Sequence, residues 1–150
     1  MAENDIVQGH ELAIGYAKDD VLLSGINLTL KPGEIVAING ASGIGKTTLL
    51  RTFAGLLDPI KGQVNIFGKP KGNRGEIGYI PQRLGLIRHA SVNHNVMLVA
   101  KAGHTSAWFP FSRVCKIHAL EAIESVGLKH KLRTPIRKLS GGQQRRVAVA

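Results

Sequence analysis

The stretch Gly40-Ala41-Ser42-Gly43-Ile44-Gly45-Lys46-Thr47-Thr48 is where this sequence most plainly carries chemistry. Its spacing fits G-x-x-x-x-G-K-[ST], a loop whose glycines let backbone N–H groups turn inward around a polyphosphate without obstruction from Cβ atoms. The helix expected to follow adds unpaired amides and the positive end of its dipole. Lys46 brings a mobile positive charge to the β and γ phosphates, Thr47 offers a hydroxyl to Mg²⁺, and Thr48 can reach a further phosphate oxygen. A turn that bound nothing would have no need of Lys-Thr at that place. A second cluster, Ser140-Gly141-Gly142, sets a hydroxyl and bare backbone at an expected helix start, with Gln144 through Ala150 continuing the helix. By itself Ser-Gly-Gly is a weak signal.

Such a loop works only where a buried strand enters it and an amphipathic helix leaves it. EIVAI at 34–38 is a nearly continuous apolar run and reads as that buried, parallel strand. HELAI at 10–14 and INLTL at 26–30 precede it, the second alternating as a half-exposed antiparallel strand does. TTLLRTFAGLL, starting at Thr47, puts Leu49, Leu50, Phe53 and Leu57 at helical spacing, with Gly55 and Pro59 as terminators. QVNIF at 63–67 and EIGYI at 76–80 are further strands by the same criteria. From Ala90 the period changes to a helical one. Ser91 is placed to cap a helix through Val92, Val96, Val99 and Ala100, and Val114, Ile117, Leu120 and Ile123 mark another that Gly127 ends. AGHTSAWFPFS, residues 102–112, reads as the loop between them, its Trp108-Phe109-Pro110-Phe111 cluster packing beneath the helices, with an exposed docking patch as the alternative. Arg145 and Arg146 are expected on the solvent side of the last helix. A strand-rich core followed by a helical insertion of about 50 residues results.

Composition narrows the classes. A chain of 150 residues with 43% hydrophobic and 20% charged residues can bury a core, which excludes disorder. The start, MAENDIVQGH, holds Glu3 and Asp5 and no apolar run, and no stretch approaches the roughly 18 apolar residues of a membrane span, so a cytosolic chain is expected unless a partner holds it at a membrane. Cys115 is the single cysteine and cannot form an internal disulfide. The net charge of +10, from 20 Lys and Arg against 10 Asp and Glu, admits nucleic acid, anionic lipid or a nucleotide as partner. The basic residues are spread along the chain, with no block of five like charges and no interleaved aromatics to stack on bases, so a solvated basic face is the reading and no nucleic-acid partner is expected. The 6 histidines form no i, i+4 pair, and no metal site of their own is expected.

Taken together, the loop at 40–48 and Leu139-Ser140-Gly141-Gly142-Gln143-Gln144, whose serine lies 94 positions beyond Lys46 (140 minus 46), resemble the motifs of ATP-binding cassette (ABC) ATPases over essentially the whole chain. The resemblance implies an α/β fold, a P-loop NTPase cassette with an antiparallel β subdomain and a helical insertion subdomain. It places a nucleotide-binding core with the β subdomain at 1–88, a helical subdomain ending in the signature motif at 89–143, and the beginning of a return helix to the core at 144–150. The family's C-terminal part would be lacking. Its metal-holding aspartate (Walker B) and its water-activating glutamate follow the signature helix, whereas here every acid precedes Ser140, the last being Glu124. The family's γ-phosphate-sensing histidine is missing in the same way, His130 being the last histidine. The expectation is a cassette truncated after the signature, poorly stable alone and binding ATP with negligible hydrolysis, because the metal and a positioned water supply most of the rate of phosphoryl transfer.

The resemblance also implies roles. Tyr16 in LAIGY is similar to the aromatic that stacks on adenine, and Gln82 in YIPQ to the catalytic-site glutamine that ligates Mg²⁺ or holds the attacking water and leads into the helical subdomain. ATP and Mg²⁺ are the implied cofactors, with Gly40, Ser42, Gly43, Gly45, Lys46, Thr47 and Thr48 on the nucleotide and Thr47 and Gln82 on the metal. Family cassettes pair head to tail, so Ser140, Gly141 and Gly142 of one chain would meet the γ-phosphate held by the other, which accounts for two clusters in one chain. The implied protein is the ATP-binding subunit of a membrane transporter, an importer. It would work with a second ATP-binding subunit, transmembrane permease subunits and a substrate-binding protein, at the cytoplasmic face of the cell membrane. AGHTSAWFPFSR resembles phosphonate importers in particular. A soluble cassette ATPase acting on ribosomes or DNA, and a non-hydrolysing nucleotide-binding fragment, are the alternatives.

Overall fold

The computed structural model describes residues 5–70, 76–103 and 113–150. They gather into two compact units, Met1–Tyr79 and Ile80–Ala150, each with its own apolar core. The Trp108-Phe109-Pro110-Phe111 cluster lies outside the described residues.

In the first unit β1 (Val7–Ala17), β2 (Asp20–Leu30), β3 (Lys61–Ile66) and β4 (Lys69–Pro70) form one sheet in the order β2-β1-β3-β4, every neighbouring pair antiparallel. β1 carries one extra residue relative to both neighbours, since Gly9 and Leu12 oppose Leu28 and Ile26 while His10 and Ala13 oppose Gln63 and Lys61. Glu11, at φ 46°, is the bulged residue. The bulge turns Leu12 and Ile14 onto the face that already holds Val7, where a strict period of two would have sent them to the other side. Asn27 secures it, its Oδ1 accepting from the Glu11 N–H at 2.9 Å and its Nδ2 donating to Glu11 Oε1 at 2.7 Å.

Helix α1 (Lys46–Phe53) covers that face, Leu49 and Phe53 joining Val7, Leu12 and Ile14, with Leu23, Ile26, Leu28 and Leu30 of β2 packed alongside. Each such side chain contributes about 1.5–3 kcal/mol when fully buried. Leu50 and Leu57, read from the sequence as part of the same stripe, are exposed. Leu50 points about 100° away from Leu49, and Leu57 lies past the end of the helix.

The run at 34–38 forms no strand. Ile35 is 97% exposed, and of the run Ile38 alone packs against the core. A strand is held by hydrogen bonds to a neighbour beside it, and among the described residues no strand pairs with this segment. Residues 76–80 are irregular for the same reason.

The second unit contains α2 (Val92–Gly103), α3 (Arg113–Ser125) and α4 (Gly141–Val149), with 3-10 turns at Lys129–Lys131 and Ile136–Lys138. Val92, Val96, Ala119, Ile123, Leu128, Ile136, Leu139 and Val147 form its core. Ser91 caps α2, its Oγ accepting from the His94 N–H at 3.2 Å. A strap of chain crosses the start of α2: the N–H groups of Val92, Ile136 and Arg137 donate to the carbonyls of Thr134 (3.1 Å), Ala90 (3.0 Å) and Arg88 (2.9 Å). The inner face of α3 is Cys115, Ala119 and Ile123, and the expected Val114 and Ile117 are exposed. Spacing by three lags the helical period of about 3.6, so over three such steps the stripe rotates by about half a turn.

Candidate nucleotide-binding site

Residues 39–45 form an irregular loop that feeds α1. Gly43 (φ 84°) and Gly45 (φ 104°) take left-handed conformations that side-chain-bearing residues adopt only at a cost, and the Gly45 carbonyl starts the helix by accepting from the Leu49 N–H at 2.8 Å. No side chain caps this helix start, and its first turn holds no acid. The first-turn amides are therefore left to an outside acceptor, at the positive end of the dipole. Lys46 Nζ donates to the carbonyls of Gly40 at 2.8 Å and Ala41 at 2.6 Å, so the loop curls around the ammonium. Ser42 and Thr47 are exposed beside it. Thr48 is buried, its carbonyl accepting from Thr52 Oγ1 at 3.0 Å. Gly40, Ser42, Gly43, Gly45, Lys46, Thr47 and Thr48 thus meet at one junction of loop and helix, rich in donors and free of carboxylates, which fits a polyphosphate. The exposed Thr47 is the hydroxyl available there to a divalent cation.

Tyr16, near the end of β1, is 77% exposed and belongs to neither core. The hairpin that carries it also sets Leu22 against the loop, since a Cβ on Gly45 would lie 3.2 Å from Leu22 Cβ. Gln82 does not belong to the first unit. It is exposed in a turn at the start of the second, where the Leu84 N–H donates to the Pro81 carbonyl at 2.8 Å, and no strand leads into it.

Ser140 opens α4 with a capping box: its Oγ accepts from the Gln143 N–H at 3.3 Å, and Gln143 Oε1 accepts from the Ser140 N–H at 3.0 Å. Accepting leaves the hydroxyl proton available to donate elsewhere. Leu139, buried next to it, anchors the segment, and its carbonyl accepts from Gln144 Nε2 at 2.9 Å. Neither Gly141 nor Gly142 has a positive φ, and a Cβ on either would meet no heavy atom within 4 Å. Nothing inside the unit requires glycine at these positions, although glycine costs a helix interior about 1 kcal/mol relative to alanine. Bare backbone in the first turn suits an acceptor approaching from outside.

Sequence reasoning missed Asn95. Buried on α2, its Oδ1 accepts from the Ile87 N–H at 2.7 Å and its Nδ2 donates to the carbonyls of Ile87 (3.2 Å) and Ser91 (2.9 Å), fastening the chain that runs on from Gln82 to the helix. A polar residue between Val92 and Val96 on an inward face was the signal. Gln143 was also missed, though Ser-x-x-Gln is a legible capping spacing. Arg146 is exposed as expected but reaches back, Nη1 donating to the Val126 carbonyl at 3.1 Å. A cavity of about 140 Å³ lies toward the other end of α1, lined in part by Gly55, Leu57, Pro59 and Ile66. A helix C-terminus repels phosphate, so this cavity is not a nucleotide site.

A polyphosphate cradle on an uncapped helix, packed on an antiparallel sheet and followed by a separate helical unit, is the plan of a nucleotide-binding cassette, and the chain belongs to the ABC transporter family, which it matches over residues 23–150. The α/β P-loop cassette expected from the sequence is its fold. Its relatives include the phosphonates import ATP-binding protein PhnC 2 of Cupriavidus metallidurans, 38% identical over 99% of this chain and 57% of that protein. The phosphonates import ATP-binding protein PhnC of Lactobacillus acidophilus is 36% identical over 100% of this chain and 63% of that protein. The chain therefore spans about three-fifths of the length of these relatives. Among solved structures it is similar to cbiO1 from Clostridium perfringens, part of the ABC transporter complex cbiONQ (TM-score 0.75, 29% identity, 98% of this chain and 60% of that one). It is also similar to an ATP-binding cassette solved as a dimer in a post-hydrolysis state bound to ADP and Pi (TM-score 0.74, 28% identity, 95% of this chain and 67% of that one). No helix among the described residues is long and apolar enough to cross a membrane.

Proposed function

We propose that the chain is the ATP-binding part of an importer subunit of the ABC family, that it binds ATP with Mg²⁺ at residues 40–48, and that the substrate moved by the assembly is a phosphonate. The observation that carries this reading is the uncapped, acid-free start of α1 with the Lys46 ammonium held beside it. An incoming triphosphate takes the first-turn amides and exchanges its oxygens for the two carbonyls on Lys46. Thr47 would hold Mg²⁺, which would supply charge neutralisation to the polyphosphate. Tyr16 offers its exposed face to the adenine. Ser140, Gly141 and Gly142 serve a second cassette, the hydroxyl donating and the bare amides closing on the γ-phosphate held by the other chain.

The names of the relatives support phosphonate as the substrate class. Permease subunits, a second ATP-binding subunit and a substrate-binding protein complete the assembly, at the cytoplasmic face of the cell membrane. These 150 residues alone hydrolyse ATP negligibly, because every acid precedes residue 125 and none belongs to the phosphate loop.

Thermal unfolding with and without MgATP tests the reading. Lys46→Ala is expected to leave the nucleotide-free midpoint where it is and to abolish the rise with MgATP, its affinity falling at least about tenfold, near 1.4 kcal/mol. A Lys46→Ala chain that bound MgATP as tightly as the unaltered one would overturn it. Sedimentation of the intact protein tests the second cluster: Ser140→Arg abolishes dimerisation driven by ATP while each monomer still binds nucleotide. Undiminished dimerisation would remove Ser140 from the site.

A further inference from the structure

The two units differ sharply in charge. Residues 1–79 hold eight Lys and Arg and eight Asp and Glu, whereas residues 80–150 hold twelve Lys and Arg against Glu121 and Glu124 alone, so the second unit carries the whole net charge of +10. Packing keeps these cations in solvent. Leu128, Ile136 and Leu139 turn into the core while Lys129, Arg133, Arg137 and Lys138, interspersed with them, stay exposed.

A separate observation points to what this cationic unit meets. Its two longest helices leave aliphatic side chains outside: Leu98 is 50%, Val99 72%, Val114 48% and Ile117 49% exposed. Val92 at the start of α2 and Ile123 toward the end of α3 share one core, so the opposite ends of the helices project together, and these ends carry the four aliphatic residues. Arg113 and Lys116 are exposed among them. An aliphatic patch without charge would suit a protein groove, and nucleic acid would call for aromatic stacking that these side chains cannot provide. Cations interleaved with exposed aliphatic groups suit a bilayer whose headgroups are anionic, the charges meeting lipid phosphates and the aliphatic groups entering the headgroup boundary.

We infer that the α2–α3 end of the second unit, through Leu98, Val99, Val114 and Ile117 with Arg113 and Lys116, docks directly on an anionic phospholipid surface. This contact needs no nucleotide and does not rest on the ATP reading.

Co-sedimentation of the full chain with vesicles, without nucleotide, tests it. The chain is expected to bind phosphatidylcholine vesicles containing about 30% phosphatidylglycerol, to ignore phosphatidylcholine alone, and to be released near 0.5 M salt, roughly where exposed charges are screened. Arg113→Glu with Lys116→Glu lowers the partition coefficient about tenfold or more, and Val99→Asp with Ile117→Asp does likewise. Lys61→Glu in the first unit leaves it unchanged. Circular dichroism confirms that each variant is folded, and should a charge reversal unfold the chain, Arg113→Gln with Lys116→Gln gives the same reading. Equal binding to both kinds of vesicle, no binding to the anionic ones, full binding by both double variants, or displacement of the chain from vesicles by RNA would each overturn the inference.

Discussion

Asn95 makes hydrogen bonds to both backbone groups of Ile87 and to the Ser91 carbonyl from a position almost out of solvent. Truncation leaves the Ile87 N–H without its acceptor, so Asn95→Ala is expected to destabilise the second unit by about 2–3 kcal/mol. A lower urea midpoint at unchanged m-value is the measurement, and a shift under about 0.5 kcal/mol would mean that water replaces the side chain. Asn95→Asp is expected to be no milder, since its carboxylate keeps the Ile87 N–H but turns a charged acceptor oxygen toward the Ile87 and Ser91 carbonyls in a buried site. Lys46 is the opposite case. Its bonds to Gly40 and Ala41 are exposed, so little stability depends on them and the side chain is available to a ligand. A stability measurement therefore separates the polar residue that holds the fold from the one proposed to bind nucleotide.

At the scale of elements, β1 shows how one residue redirects a strand. The bulge at Glu11 brings the backbone close to Gly62 on β3, where a Cβ would lie 2.3 Å from the His10 carbonyl oxygen and 2.5 Å from that of Glu11, at φ 80°. Gly25 also has a positive φ, of 67°, but a Cβ there would meet nothing within 4 Å. Gly25→Ala is thus expected to cost about 1 kcal/mol from backbone conformation alone, and Gly62→Ala about 3 kcal/mol or more because backbone cannot retreat as a side chain can. Equal losses in chemical denaturation would show that the sheet opens at the bulge without resistance. The helix starts differ in a related way. α1 begins uncapped on a left-handed glycine, whereas α4 begins capped by its own serine, so the first depends on a ligand for its amides and the second only in part.

For the whole molecule, exposure at 34–38 decides what substitutions there do. Ile35 is surrounded by solvent, so Ile35→Lys is expected to shift the stability of this chain by less than about 0.5 kcal/mol. Ile14→Ala, in the core of the same unit, is expected to cost about 2–5 kcal/mol. Paired urea titrations of the two variants check this, and equal losses would show that residue 35 is covered in the folded chain. The segregation of charge belongs to the same scale, because the boundary between the two units is also the boundary between a neutral first half of the chain and a second half that carries the whole net charge.

By itself the sequence determined what depends on neighbours in the chain. The loop at 40–48 and the helix it opens were legible because the glycines, the lysine and the helix start lie within nine residues. The helix beginning at Ser91 was legible because a cap acts on amides within its own first turn. Tertiary structure decided what depends on partners distant in the chain. An apolar run at 34–38 is a strand only if another strand lies beside it, and a helix face is inner or outer only by what packs on it, which is why Ala119 is buried and Ile117 is not. The bulge at Glu11 and the buried amide of Asn95 belong to the same class, since each is held by residues that spacing alone does not bring together.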